Sequence, residues 1–218
     1  MTRFIYLLSP LIKEDTLSLP MIQFNIITDN IDFSRCDTLM FTSKQAVKSA
    51  DMINPDWKKF PSLAIGSATA KQIKTLGGKV LYQPKRFYGK SLSEDIINKF
   101  KENRILYLRP KEVSFDSKSF LEASGILLQE QVIYETTCIQ YIKKDKPSKH
   151  AIIIFTSPST IHCFFKNFEW DDTYTAIVIG ESTKEHLPSN VYYKVSSEAT
   201  IDACIEKAKE ILLSSNSK

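Results

Sequence analysis

The chain is poor in the residues on which several common chemistries depend. Its 218 residues include only 6 glycines, 3 histidines and 4 cysteines. No G-x-G-x-x-G is present, and Gly89-Lys90-Ser91 matches only the tail of a phosphate loop, because Pro84 stands where the leading glycine belongs. Nucleotide binding by those devices is thereby excluded. His150, His162 and His186 lack mutual ligand spacing, and no Cys, Asp or Glu pair completes a metal set, so no metal is expected. Cys36, Cys138, Cys163 and Cys204 are scattered without a C-x-x-C pair. That pattern predicts neither a zinc site nor a disulfide framework, and it points to a reducing cytoplasm. No apolar run approaches the roughly 18 residues of a spanning helix, and the apolar stretch ending at Leu8 is too short for an export signal. Neither Ser43 nor Ser157 sits in G-x-S-x-G, which removes the common hydrolase setting. The net charge of +4, spread along the chain, suits an anionic ligand and is too mild for nucleic acid.

What the chain does contain is an internal repeat, the feature to seek before assigning a fold. Phe41-Thr42-Ser43 recurs as Phe155-Thr156-Ser157, and Ile65-Gly66 as Ile179-Gly180; the offset is 114 residues in both cases (155 − 41 and 180 − 66). Arg3-Phe4-Ile5-Tyr6-Leu7 is similar to Arg104-Ile105-Leu106-Tyr107-Leu108, and the stretch from Met21 to Ile27 has a counterpart from Leu127 to Ile133.

Short apolar runs at 4–8, 38–41, 63–65, 105–108, 152–155 and 176–179 read as buried parallel strands. Helical patterns lie between them. One follows Ser43, and another runs from Ala68 to Leu76 until Gly77 and Gly78 stop it; Ser91 and Glu94 have capping-box spacing, and an apolar stripe from Ile201 to Leu212 marks a final helix. Strand alternating with helix predicts an α/β fold. The polar ending Ser214 to Lys218 has nothing to bury and is expected to fray. Two segments, Phe24 to Asp32 and Tyr134 to Pro147, break the alternation. They read either as paired crossovers between two domains or as edge strands of one sheet.

Four strand-to-helix turns gather backbone N–H groups: Thr42-Ser43, Gly66-Ser67-Ala68-Thr69, Thr156-Ser157 and Gly180-Glu181-Ser182-Thr183. In open α/β sheets ligands dock at the carboxyl ends of strands, and helix N-termini there favour anions. The candidate binding residues are therefore Thr42, Ser43, Gly66, Ser67, Thr69, Ser157, Gly180, Ser182 and Thr183. Each hydroxyl is explained equally well as a cap for its own helix. Two of only 6 glycines fall at equivalent turns, where close backbone approach or positive φ is expected, although simple turn formation also accounts for them.

These turns carry a resemblance. The segments from Thr38 to Val47, Ala64 to Ala70, Val132 to Thr136 and Ile154 to Ser159, in this order and spacing, look like the signature of the uroporphyrinogen-III synthase family, and they span nearly the whole chain. Arg109-Pro110-Lys111-Glu112 departs from it, standing where Arg-Gly is usual, as does Lys184-Glu185 after the last Thr.

The resemblance implies two flavodoxin-like, three-layer α/β domains with parallel sheets, joined by a two-stranded β-ladder hinge. Residues 1–24 with 147–218 would form one domain and 34–134 the other, with 25–33 and 135–146 crossing between them. It implies a cofactor-free cytoplasmic lyase, expected as a monomer. The enzyme would cyclise hydroxymethylbilane to uroporphyrinogen III in the interdomain cleft, inverting ring D and losing water. Partners would be that poly-anionic tetrapyrrole and, transiently, the upstream bilane-forming enzyme. By its match to the family's Val-Tyr-x-Thr segment, Tyr134 is the candidate for assisting hydroxyl departure; packing at the hinge explains it equally well. Lys44, Lys71, Arg109 and Lys111 are candidates for added positive charge. The rival readings are a non-catalytic two-domain module that closes on a small anion and a transferase using a nucleotide-linked donor.

Overall fold

In the computed structural model, residues 3–86 and 88–215 are described. In chain order the elements are β1 (Ile5–Leu7), β2 (Leu17–Ser18), β3 (Ile22–Ile26), β4 (Thr38–Phe41), α1 (Lys44–Ile53), β5 (Pro61–Ala64), α2 (Ser67–Thr75), β6 (Lys79–Tyr82), α3 (Gly89–Lys99), β7 (Ile105–Pro110), α4 (Ser117–Glu122) and β8 (Gln129–Cys138). There follow β9 (Ile152–Phe155), α5 (Pro158–Asn167), β10 (Thr175–Val178), α6 (Glu181–Lys184), β11 (Tyr193–Val195) and α7 (Ile201–Ser215). Ser214 and Ser215 still belong to α7, while residues 216–218 of the polar ending lie outside the described residues, as do Met1 and Thr2. Contacts divide the chain into a first unit, 1–23 with 137–218, and a second unit, 24–136.

The second unit is a sheet in the order β3-β8-β7-β4-β5-β6, and the pairs from β8 to β6 are all parallel. Alternation along the strands sends side chains to two cores. Leu39, Phe41, Leu106, Leu108 and Ile133 pack with Ala46, Val47 and Ala50 of α1 and Ala70 and Ile73 of α2. On the other face Met40, Ile105 and Tyr107 pack with Leu92 and Ile96 of α3 and Leu121 of α4. Helix α2 ends as the glycine pair predicts: Gly77 adopts φ +88, Gly77 N–H donates to Lys74 O at 3.0 Å and Gly78 N–H to Ile73 O at 2.9 Å, the pattern of a Schellman cap. Helix α3 differs from expectation. Its N-cap is Tyr88, so Ser91 already lies inside the helix and forms no capping box with Glu94.

The first unit is a parallel sheet in the order β11-β10-β9-β1-β2. Ile5, Leu7, Ile152, Ile154 and Ile177 bury against Cys204, Ile205 and Ala208 of α7. On the opposite face Phe155 meets Phe164 of α5 edge-on at 5.5 Å. Numbered along the chain, its five strands read 2-1-3-4-5 across the sheet. The parallel strands of the second unit give the same order only when the count starts at β7 and β8 and then returns to β4, β5 and β6. Its chain therefore enters an equivalent sheet at a different strand. The parallel α/β layering is as expected. The 114-residue offset extends to the first residues of three strand pairs: 152 − 38, 175 − 61 and 193 − 79.

Cys138, the last residue of β8, is disulfide-bonded to Cys163 of α5 across a Cα–Cα distance of 5.2 Å, a pairing that the scattered cysteines did not indicate. A separation of 25 residues carries no motif. The pair meets because the chain leaving β8 is held on α5, where Asn167 Nδ2–H donates to Ile139 O and Cys163 O and Asn167 Oδ1 accepts Tyr141 N–H. The cysteine argument for a reducing compartment loses its footing. Cys36 and Cys204 are buried and free, and burial pushes both thiols up, Cys36 to about 11.

Candidate functional site

The second unit brings several of the predicted residues together where β4 ends. Thr42 and Ser43 continue the alternation of β4, so their side chains leave toward opposite faces of the sheet. A tyrosine meets each. Thr42 Oγ1 lies 2.6 Å from Tyr107 OH, on the face covered by α3 and α4. Ser43 Oγ lies 2.9 Å from Tyr134 OH, on the face covered by α1 and α2, and also accepts Ala46 N–H at 2.9 Å to cap α1.

Tyr134 reaches that position through an irregularity. Arg109 pairs with Val132 but Pro110 with Tyr134, so Ile133 is an extra residue in β8. Such a bulge re-aims the side chains beside it, and both Ile133 and Tyr134 enter the same core. Phe24 meets the Tyr134 ring edge-on at 5.9 Å. Both phenols are almost wholly buried, with Tyr107 2% and Tyr134 4% exposed. Burial pushes their pKa values up, that of Tyr107 to about 12, opposed by the hydrogen bonds from Thr42 and Ser43. Near neutral pH each phenol therefore holds its proton and can act as a hydrogen-bond donor.

The predicted cations are less free than the sequence implied. Arg109 Nε is 3.3 Å from Glu130 Oε1, close enough for an ion pair but without the alignment of a hydrogen bond. Its Nη1–H donates to Pro110 O and Lys111 O, so the guanidinium braces its own loop. Lys111 Nζ pairs with Glu135 at 3.1 Å, and Lys111 N–H donates to Tyr134 O. Lys44 and Lys71 are exposed.

The other turns differ from this one. Gly66 caps α2 with φ −175 and Gly180 caps α6 with φ 177, both extended, so neither glycine is required by a positive φ. A Cβ on Gly180 would meet nothing within 4 Å. Ser67 and Ser182 are exposed, while Thr69 and Thr183 are buried. Helix α6 has only 4 residues and opens with Glu181, which pairs with Lys184. A short dipole headed by a carboxylate is a poor anion site. At the Thr156-Ser157 turn the oxygen of Thr160 accepts the N–H groups of both turn residues at 3.2 Å, and Ser157 Oγ accepts Thr160 N–H. The amides there are already engaged. Under the 114-residue offset Thr160 corresponds to Ala46 (160 − 114), which offers no such oxygen.

Tyr107 and Thr160 escaped the sequence reading. For Thr160 a signal was present in its mismatch with Ala46; Tyr107 sits inside an apolar strand run, where nothing marks its hydroxyl. Among the described residues no helix is long and apolar enough to cross a membrane.

Comparison with known proteins places this geometry. The family model described as uroporphyrinogen-III synthase HemD matches residues 5–206. The porphyrin biosynthesis protein HemD of Ruminiclostridium josui is 30% identical over 157 residues, 67% of this chain; the match spans about a third, 31%, of that relative's length. The crystal structure of uroporphyrinogen-III synthetase from Helicobacter pylori 26695 superposes with a TM-score of 0.79 at 25% identity, covering 96% of this chain and 100% of that one. A uroporphyrinogen III synthase structure from Thermus thermophilus shares the fold, with a TM-score of 0.60 at 12% identity over 98% of this chain and 100% of that one. With a family model matching from the first strand into the last helix, this chain belongs to the uroporphyrinogen-III synthase family.

Proposed function

We propose that the chain catalyses cyclisation of hydroxymethylbilane to uroporphyrinogen III, without a cofactor, and that the Thr42-Ser43 turn with Tyr134 is the centre of its site. The observation that carries this reading is the buried, protonated Tyr134 phenol 2.9 Å from Ser43 Oγ, at a turn that opens a 10-residue helix. The substrate bears acetate and propionate arms, which suit backbone N–H groups at helix N-termini. Thr42, Ser43, Gly66, Ser67 and Thr69 serve this role in the second unit. Ser157, Gly180, Ser182 and Thr183 serve it more weakly, because Thr160 and Glu181 already occupy or oppose those turns. Lys44, Lys71 and Lys111 add charge, and Arg109 contributes by bracing its loop.

The reaction begins when the ring A hydroxymethyl carbon loses its hydroxyl, which takes a proton and departs as water, leaving an azafulvene cation. The substituted carbon of ring D attacks to give a spiro intermediate, whose fragmentation and reclosure reverse that ring. Free bilane can close without inversion, so the protein's contribution is chiefly orientation. Tyr134 assists the first step by hydrogen-bonding the departing oxygen. The equivalent offsets of strands and turns further support descent of both units from one duplicated, flavodoxin-like α/β module; the working form we propose is a monomer.

The test supplies enzymatically generated hydroxymethylbilane and measures the inverted and non-inverted macrocycles by chromatography. The wild-type chain should yield the inverted isomer, and Tyr134→Phe should lower its rate about a hundredfold, the low end for general-acid assistance, while keeping the fold. A product mixture identical to that in buffer alone would overturn the function. Unaltered turnover by the variant would remove Tyr134 from the mechanism.

A further inference from the structure

We propose that Tyr107 is a positioning residue that fixes the Thr42-Ser43 turn for carboxylate binding, from the face of the sheet opposite Tyr134. This inference rests on the proposed synthase reading and assigns a group that the reaction scheme leaves unused. Tyr107 is the only tyrosine among the β7 residues, 2% exposed, and its ring packs in the core beneath α3 and α4. An aliphatic side chain would fill such a position without a polar atom to satisfy. The hydroxyl instead ends 2.6 Å from Thr42 Oγ1, in the two-residue turn between the end of β4 at Phe41 and the start of α1 at Lys44.

The arrangement is a staple with two prongs. Tyr134 binds Ser43 from one face and Tyr107 binds Thr42 from the other, so two consecutive residues are pinned in opposite directions. Rotation of the turn breaks at least one of these bonds. The support extends one layer outward. Glu130 is the register partner of Tyr107 on β8 and pairs with Arg109, two residues along β7 from Tyr107. Arg109 in turn holds the carbonyls of Pro110 and Lys111. The strand ends around the staple are thus tied to each other.

The other half of the repeat shows what the phenol adds. By strand register the counterpart of Tyr107 is Leu7, because Tyr107 pairs with Met40 and Leu7 with Ile154, again 114 residues on (154 − 40); the first unit has no phenol at this place and leaves the Thr156-Ser157 turn to Thr160. In the second unit Ala46 offers no oxygen, so the turn amides are left for a ligand and the phenols take over the positioning. A group that orients amides for carboxylates acts on substrate binding in ground and transition states alike, and therefore on KM rather than kcat.

The experiment compares Tyr107→Phe, Thr42→Val and the double variant with hydroxymethylbilane as substrate, after thermal melting has shown each to be folded. Each single variant is expected to raise KM about fivefold with kcat within twofold of wild type, the scale of one neutral hydrogen bond. The double variant should be no worse than either single one, because both remove the same bond. Unchanged KM in a folded Tyr107→Phe protein, a loss confined to kcat, or additive effects in the double variant would each overturn the proposal. A wild-type chain that forms no inverted isomer would instead defeat the synthase reading on which it rests, and Tyr134→Phe separates the chemical step from both.

Discussion

The turns Thr42-Ser43 and Thr156-Ser157 follow equivalent central strands in two sheets, β4 in one and β9 in the other, yet they are held by different means. In the first unit the helix that follows the turn secures it, because the Thr160 hydroxyl takes the N–H groups of both turn residues and donates to Ser157 O at 2.7 Å. In the second unit the sheet secures it, through tyrosines on β7 and β8. Ser43 and Ser157 each cap their own helix, but Thr160 additionally takes the Thr156 and Ser157 N–H groups that an anion would use, whereas the phenols bind only the side chains of Thr42 and Ser43. The same local sequence therefore supports a closed turn in one unit and an open turn in the other.

Three experiments probe this contrast, and the largest effect concerns the unit with the closed turn. Reduction of the Cys138–Cys163 bond reopens a loop across a sequence separation of 25 and should destabilise the first unit by about 3 kcal/mol. Denaturant unfolding with and without dithiothreitol measures it, and Cys163→Ser should abolish the difference. If reduction leaves unfolding unchanged, the disulfide plays no part in holding the chain after β8 on α5.

Next in size is Thr160→Val. It removes a fully buried oxygen on which two amides depend, and a cost of about 2 kcal/mol is expected from their lost partner. Because Thr160 already engages those amides and leaves them only a weak part in substrate binding, kcat/KM should stay within twofold. A large rise in KM would show that the first unit's turn binds carboxylates as strongly as the second unit's, and the contrast between the turns would fail.

The smallest effect tests the contrast from the other side. Ala46→Ser gives α1 an oxygen at the position of Thr160 and invites the open turn to close on itself. KM should rise about threefold, part of one neutral hydrogen bond, with kcat unchanged. An unchanged KM would mean that the Thr42 and Ser43 amides do not meet the substrate.

Much of this was legible in the chain itself. The buried strands β4, β7, β9 and β10 are β-branched or aromatic runs with helical patterns between them, and burial on both faces leaves such segments little choice of structure. The edge strands β2, β6 and β11 passed unread. They are short, with burial patterns that include exposed positions, and only pairing with a neighbour makes them strands. Ser43 and Ser157 cap their helices as a local rule predicts. Ser91 does not, because α3 begins earlier, at Gly89.

The amino-acid sequence by itself determined the parallel α/β class, the 114-residue repeat and the family, since these depend on patterns of apolar and turn residues along the chain. Tertiary structure alone decided that Cys138 meets Cys163, that Tyr107 and Tyr134 grip one turn from two faces, and that Arg109 is spent on its own loop. The disulfide and the two tyrosine contacts depend on strand order and register, which bring together residues 25 to 91 positions apart, and no local rule reaches across such a distance.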